Sequence, residues 1–315
     1  MKAIYLEQYG NTDQLIHGEL PRPVAAPGQV VIKVHGAGVN PVDWMVREGL
    51  LQEDVAHAMP LVPGWDAAGV ISEIGEGVNN FEVGQPVFVY SPIALQGAYA
   101  EYLAVDSALV ASKPNSLDFI TSAAVPLAAT TAYQSLIAGG NVKPGQRVLI
   151  HNAAGGVGSF AVQIAKALGA YVIGTASQGK HDFVSSLGAD EVIDYRSENF
   201  LDTIEDVDMV LAAVGGDNIV EDSLQVIKPG GVLISLLDDM PSAEAQAKAQ
   251  AKNIEFQRWW VTPNAQDLTH IAAMIDNGDI KVHLEKVFPL SQVKQAHALS
   301  ESKRAQGKIV LQVID

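Results

Sequence analysis

Residues 147–170 read RVLIHNAAGGVGSFAVQIAKALGA. An apolar run at 148–150 has the look of a buried strand, and the residues after Gly158 place apolar side chains at helical spacing. Between them lies Ala153-Ala154-Gly155-Gly156-Val157-Gly158, a glycine-rich turn joining strand to helix. Gly155 lets a pyrophosphate approach the backbone, and Gly158 permits close packing of helix on strand. The first helical turn would then turn its unpaired N–H groups, Gly156 and Val157 among them, toward the phosphates. Ala153 stands where the G-x-G-x-x-G pattern has its first glycine, so the pattern alone is weak. The strand before it, the helix after it and a second strand at 171–174 supply the context that strengthens it. A structural turn without a ligand is the alternative reading.

Outward from this stretch the chain keeps an alternating rhythm. Strand signals at 147–151, 171–174, 191–193, 208–212 and 232–236 alternate with helix signals at 159–168, 180–187 and 218–227. A further helix at 242–252 and a sixth strand at 254–261 extend the series, predicting βαβ units and a parallel sheet covered on both faces. Residues 119–138, rich in Ala, Leu and Thr, read as one helix leading into it. The first ~110 residues differ: short β segments at 1–6, 30–36, 69–74, 86–90 and 99–105, punctuated by Gly and Pro, read as a small all-β domain. The tail is mixed, with helices at 265–277 and 292–302 and strands at 282–287 and 308–313. No internal repeat or low-complexity linker interrupts this order.

The residue that sets cofactor preference is expected about 20 positions beyond the loop, at the end of the second strand. The sequence there is Gly174-Thr175-Ala176-Ser177-Gln178-Gly179-Lys180-His181, with no acid before Asp182. An Asp or Glu would bond a ribose 2′-hydroxyl and repel a 2′-phosphate. Ser177 and Lys180 offer a hydroxyl and a cation instead, and Tyr195-Arg196 can close the other side. For Lys180 the competing reading is a solvated residue in a first helical turn. The missing acid favours the phosphate, and with it NADPH over NADH.

Composition narrows the partners. The 315 residues allow two domains with real cores. Twenty basic and 36 acidic side chains give a net charge of −16, which repels a nucleic-acid backbone but leaves a locally bound phosphate possible. There is no cysteine, so disulfides and thiolate zinc sites are excluded. No apolar run approaches the ~20 residues of a membrane helix, and the first residues lack a secretory leader pattern, so a cytoplasmic location is expected. The eight histidines show no H-x-x-H or H-E-x-x-H spacing.

Several segments together resemble the medium-chain dehydrogenase/reductase superfamily, and within it the zinc-independent, zeta-crystallin-like quinone oxidoreductases. They are Val39-Asn40-Pro41-Val42-Asp43, Pro63-Gly64-Trp65-Asp66-Ala67-Ala68-Gly69, Gly97-Ala98-Tyr99-Ala100-Glu101-Tyr102, the 153–158 loop, Asp194-Tyr195-Arg196 and Gly307-Lys308-Ile309-Val310. The resemblance covers essentially the whole chain. It implies an α/β protein with a GroES-like catalytic domain at 1–117, completed by 263–315, and a doubly wound Rossmann domain at 118–262 that binds NADPH. The active site of such proteins lies in the cleft between the two.

The positions matching the catalytic zinc ligands of zinc-dependent relatives are Asn40, Trp65 and Leu127, so no metal is expected. By resemblance, Asn40 and Thr130 lie beside the nicotinamide. Asn40 is a donor to a carboxamide or substrate carbonyl, or equally the cap of a turn before Pro41. Asp43 anchors the loop or relays a proton, with anchoring the better reading. Trp65 either stacks on a flat conjugated substrate or fills space. Val214, Leu237 and Lys308 fall where relatives contact the cofactor. A Tyr found shortly after the Asn motif in some relatives is replaced by Gly49-Leu50-Leu51-Gln52. Trp259-Trp260, expected within the sixth strand, suggest a homodimer edge.

The expected activity is hydride transfer from NADPH to a quinone or an α,β-unsaturated carbonyl compound. A zinc-free carbonyl or alcohol reductase and a non-catalytic NADPH-binding structural or sensor protein are the alternatives.

Overall fold

The computed structural model describes residues 1–315 except Asp217, Asp238, Asp239 and Asp315. Its contacts divide the chain into two units, one of 1–130, 262–278 and 282–315, the other of 131–261 and 279–281.

In the second unit six parallel strands pair in the order Glu191–Asp194, Tyr171–Ala176, Arg147–His151, Val207–Ala212, Ile227–Ser235, Glu255–Arg258. Numbered along the chain that is 3-2-1-4-5-6, the doubly wound order in which ligands bind at the carboxyl ends where the order reverses. The strands Arg147–His151 and Val207–Ala212 are buried almost throughout, because helices cover both faces of a parallel sheet. The α/β expectation with a Rossmann sheet holds. The sixth strand is shorter than expected, and Trp259 and Trp260 follow it rather than lie in it. Trp259 packs near Gly139 and Ile234, while Trp260 stays 51% exposed.

The expected single helix at 119–138 is broken. Phe119–Ala123 ends and Pro126–Gln134 begins because Pro126 has no N–H to donate and favours a first helical turn. A π-helical turn, Ser135–Gly139, follows.

The first unit holds a seven-stranded sheet and a small pair, Lys2–Tyr5 with Ile16–Glu19. Its spine is Gln29–Val39, eleven residues long. Along one edge this strand pairs throughout with Asp66–Ile74. Along the other, its first half takes Tyr102–Asp106 and its last residues take Lys308–Gln312 from the C-terminal tail. Strands Ile16–Glu19 and Val110–Ser112 and the helix Pro41–Arg47 were not foreseen. The helix is one short apolar turn pair whose start signal is an Asn-x-x-Asp capping box rather than the commoner Ser/Thr-x-x-Glu.

Candidate functional site

In the first unit, sheet register gathers a buried polar cluster. Gly38 lies opposite Asp66, and Val39 lies opposite Ile309. Asn40, Asp66 and Lys308 therefore meet at one end of three adjoining strands, although 268 residues separate Asn40 from Lys308. Gly38 has to be glycine: a Cβ there would fall 2.9 Å from Asp66 Oδ2 and 2.4 Å from Ala123 O. Asn40, Asp66 and Lys308 are 1%, 0% and 3% exposed. Asn40 Nδ2 donates to Asp66 Oδ2 at 2.8 Å, and the Lys308 ammonium donates to Asn40 Oδ1 and, at 3.3 Å, to Val39 O. Lys308 Nζ also lies 3.9 Å from Asp66 Oδ2. The other Asp66 oxygen accepts from Leu127 N at 2.7 Å, in the first turn of Pro126–Gln134, where the helix end favours a negative charge.

Asp43 sits one helical turn from Asn40. Its Oδ2 accepts from Asn40 N at 2.8 Å and from Tyr99 OH at 2.6 Å, while Oδ1 is buried without a partner. Tyr99 reaches it because Gly64, at φ +80°, leaves the ring space; a Cβ there would stand 2.1 Å from Tyr99 Cε1. Gly97 in turn lets its segment approach Gly64 O. The Pro63–Gly64 and Gly97–Tyr99 segments are thus two sides of one contact.

Burial dominates the ionisation of this cluster. It pushes the Asp43 carboxyl up to about 7, against the pull of the Tyr99 and Asn40 hydrogen bonds. It pushes Asp66 up to about 6, opposed chiefly by the Lys308 charge. Lys308 is lowered by burial and pulled back by Asp66 and Asp43. Lys308 Nζ and Asp66 Oδ2 stand as a buried ion pair.

Asn40 is therefore both a turn residue and an amide with donor capacity left over: Asp66 takes one of its two Nδ2 hydrogens. Asp43 anchors. Thr130 is fully buried and its hydroxyl has no partner. Trp65 is fully buried and its indole N–H donates to Leu95 O at 3.0 Å, so it is held as packing and no face is open for stacking. The Lys308 ammonium is engaged by Asn40, Val39 and Asp66. Asp66 and Tyr99 were not singled out as site residues; sheet register reveals Asp66, and the close packing of Gly64 on the Tyr99 ring reveals Tyr99.

A zinc ion does not fit these residues. The chain has no cysteine, Trp65 and Leu127 bring no metal-ligating side-chain atom, and the Asn40 oxygen already holds an ammonium. Among the described residues no group of three His, Asp or Glu is arranged as a metal site.

In the second unit the loop 153–158 lies at the carboxyl end of the strand Arg147–His151, with Gly155 as N-cap of the helix Gly156–Ala167. The turn is entered through Asn152 at φ +54°. A Cβ on Gly158 would stand 2.1 Å from Asn152 O and 2.8 Å from Ala153 Cα, so strand and helix touch backbone to backbone. The methyl of Ala153 is admitted by another glycine: a Cβ on Gly174 in the neighbouring strand would lie 2.8 Å from it. The missing first glycine is compensated 21 residues on. The first helix-type bond accepted by the N-cap comes from Ser159 N, at 2.9 Å, which leaves the N–H groups of Gly156, Val157 and Gly158 ahead of the ladder.

The other expected cofactor residues of this unit follow the carboxyl ends of the strands of the same sheet. Val214 follows the strand Val207–Ala212, and Asn152 Nδ2 reaches the neighbouring Ala213 O at 3.4 Å. Leu237, 38% exposed, follows Ile227–Ser235. Ser177 and Lys180 follow Tyr171–Ala176, and Tyr195, 58% exposed, follows Glu191–Asp194. Thr175 is different. Its hydroxyl accepts from Asn152 N at 3.2 Å and meets His151 Nδ1 at 3.3 Å, so it braces the loop from beneath. His151 is held neutral, its pKa lowered to about 4 by burial.

A mostly antiparallel β unit completed by the chain's tail, joined to a 3-2-1-4-5-6 parallel sheet with a glycine-rich first turn, defines a two-domain nucleotide-dependent dehydrogenase or reductase. Family models agree. Residues 26–115 match the alcohol dehydrogenase GroES-like domain, and residues 187–311 match a family described as zinc-binding dehydrogenase. The chain is 35% identical to the Arabidopsis thaliana NADPH-dependent alkenal/one oxidoreductase, over 99% of this chain and 79% of that protein. It is 32% identical to the Sus scrofa quinone oxidoreductase, over 99% of this chain and 97% of that one. The Escherichia coli quinone oxidoreductase, solved in complex with NADPH, superposes with a TM-score of 0.89 at 28% identity, covering 99% of this chain and 100% of that one. The chain belongs to the medium-chain dehydrogenase/reductase superfamily, among its quinone oxidoreductase and alkenal reductase relatives.

Proposed function

We propose that this protein is a zinc-independent oxidoreductase that uses NADPH to reduce a quinone or an α,β-unsaturated carbonyl compound. The observation that carries the reading is Asn40, a buried neutral amide held between an ammonium and a carboxylate with one N–H to spare. The names of the relatives support the same reading.

The glycine cradle at Gly155 and Gly158 fits a pyrophosphate, and the N–H groups of Gly156, Val157 and Gly158 would bind it. Ser177, Lys180 and Tyr195 would hold the 2′-phosphate, and Val214 and Leu237 would line the cofactor from neighbouring strands. Asn40 and the unpartnered Thr130 hydroxyl would lie at the nicotinamide end. When bound, NADPH supplies a hydride from C4 of its nicotinamide.

The protein's own part is to bind, orient and stabilise charge. Hydride reaching an isolated ketone leaves a localised alkoxide, which calls for a metal or a placed acid. Hydride reaching an enone β-carbon leaves an enolate, and a quinone leaves a hydroquinone anion. Both are delocalised, so neutral donors such as Asn40 and Thr130 suffice and water completes protonation.

NADPH oxidation followed by absorbance with quinones, enones, saturated aldehydes and saturated ketones tests the reading. Turnover confined to the first two classes is expected; faster turnover of saturated carbonyls overturns it. The proposal includes a homodimer. The strand Glu255–Arg258 has a single partner at the sheet edge and Trp260 is half exposed beside it. Light scattering at micromolar concentration is expected to give twice the chain mass, and monomer alone would contradict it.

A further inference from the structure

The geometry points to Lys308 as a positioning residue that, with Asp66, sets the orientation and donor strength of the Asn40 amide. The inference rests on the proposed reductase activity for its kinetic consequence, but not for its structural one. An ammonium carries donors only and an ionised carboxylate acceptors only. With Lys308 Nζ on Oδ1 and Asp66 Oδ2 at 2.8 Å from Nδ2, a single orientation of the Asn40 side chain satisfies both neighbours. The reversed amide would set NH2 against ammonium and oxygen against carboxylate. Both contacts would be repulsive and almost fully buried, where water cannot screen them.

The two charges also act along the amide. A cation on the carbonyl oxygen draws electron density from the nitrogen, so the remaining N–H becomes a stronger donor than that of a free amide. Asp66 is itself fixed by Leu127 N at 2.7 Å, and Lys308 by Val39 O at 3.3 Å, so neither can turn away. A fixed positive charge thus reaches a developing enolate or hydroquinone anion through Asn40. Lys308 acts in this arrangement through the Asn40 amide.

The test reads the Asn40 side-chain 1H–15N signals in labelled protein, assigned by their loss in Asn40→Asp, alongside steady-state kinetics. Lys308→Met is expected to move both Asn40 signals upfield and to speed their hydrogen exchange by at least about tenfold, the factor that corresponds to ~1.4 kcal/mol. In the same variant kcat for an enone falls at least about tenfold while the Kd for NADPH changes by less than about twofold, and Lys308→Arg restores both signals and kcat. If Lys308→Met does not fold, Lys308→Gln is read in its place. It keeps a neutral donor but loses the charge, and the upfield shift is expected unchanged in sign.

Unaltered Asn40 signals in Lys308→Met, or in Lys308→Gln, would overturn the inference. So would a weakening of NADPH binding that accounts for the whole kinetic loss, since Lys308 would then be a cofactor contact. Wild-type protein that reduces no acceptor, yet shows the Asn40 response, removes the proposed activity and leaves the positioning of Asn40 by Lys308 supported.

Discussion

The loop 153–158 and the Asn40 cluster are both polar sites in a largely apolar molecule, and they are made by opposite means. The loop uses backbone. Its binding groups are N–H bonds exposed by helix geometry, its shape comes from glycines, and nothing in it titrates. The cluster uses side chains. Two carboxylates, an ammonium and a phenol are buried together, and each is kept in place by the others. The first design costs little desolvation and tolerates no extra atom. The second also needs glycine at Gly38 and Gly64, and it cannot lose one charge without stranding another.

Breaking each site in its own way should expose the difference. Gly158→Val drives a side chain into backbone 2.1 Å away, so strand and helix must separate. NADPH affinity is expected to fall more than about 100-fold, with a loss of at least about 3 kcal/mol in stability. Fluorescence titration and denaturant melts measure both. In the cluster, Asp66→Ala leaves the Lys308 ammonium without its carboxylate and deprives Asn40 Nδ2 and Leu127 N of their acceptor. The expected cost is about 3–5 kcal/mol, and Asp66→Leu combined with Lys308→Met should cost less than Asp66→Ala alone. Urea melts of the three proteins decide it.

The pH response sharpens the contrast. The Asp43 carboxyl is raised from its ordinary 3.8 to about 7 in the folded protein, so the folded state holds its proton more tightly than the unfolded one. Stability from this group is complete below about pH 4 and is lost as pH rises toward 7. Asp43→Asn lacks that loss. Its stability relative to wild type should therefore rise by about 2–4 kcal/mol between pH 4 and pH 8. The buried His151 and His297, lowered to about 4 and about 3, act in the opposite direction but are common to both proteins. Melts at a series of pH values give the difference directly, and a flat difference would contradict the assignment. A smaller effect is expected at the exposed end of the loop site. Lys180→Ala should weaken NADPH binding by about 1.5–3 kcal/mol and leave NADH binding unchanged, as isothermal titration with each nucleotide would show.

The same contrast explains what was legible in the sequence. The loop is a local object: strand, glycines and helix follow one another within 24 residues, so reading along the chain recovers it. Even its irregularity, Ala153 for glycine, finds its reason in Gly174 one strand away. The cluster is assembled by register. Asn40 and Lys308 stood out only by resemblance, and Asp66 was quoted within a motif without a role. Nothing short of pairing Gly38 with Asp66 and Val39 with Ile309 brings the three together. For Trp65 residue type left stacking and space-filling both open, and its complete burial shows it as packing. Pro126 was visible in the sequence, and its consequence, a helix ended and restarted, follows from its missing N–H. The sixth strand, expected to run to 261, stops three residues earlier at Arg258 and leaves Trp259 and Trp260 beyond its end.

The reaction is defined by the carbon that receives the hydride. Reduction of a β-substituted enone with NADPH deuterated at the nicotinamide C4, followed by NMR of the product, reads that position without any substitution in the protein. Deuterium on the former β-carbon, with the carbonyl intact, is the predicted result for a site that stabilises a delocalised anion through Asn40. Deuterium on the carbonyl carbon, giving an allylic alcohol, would contradict it.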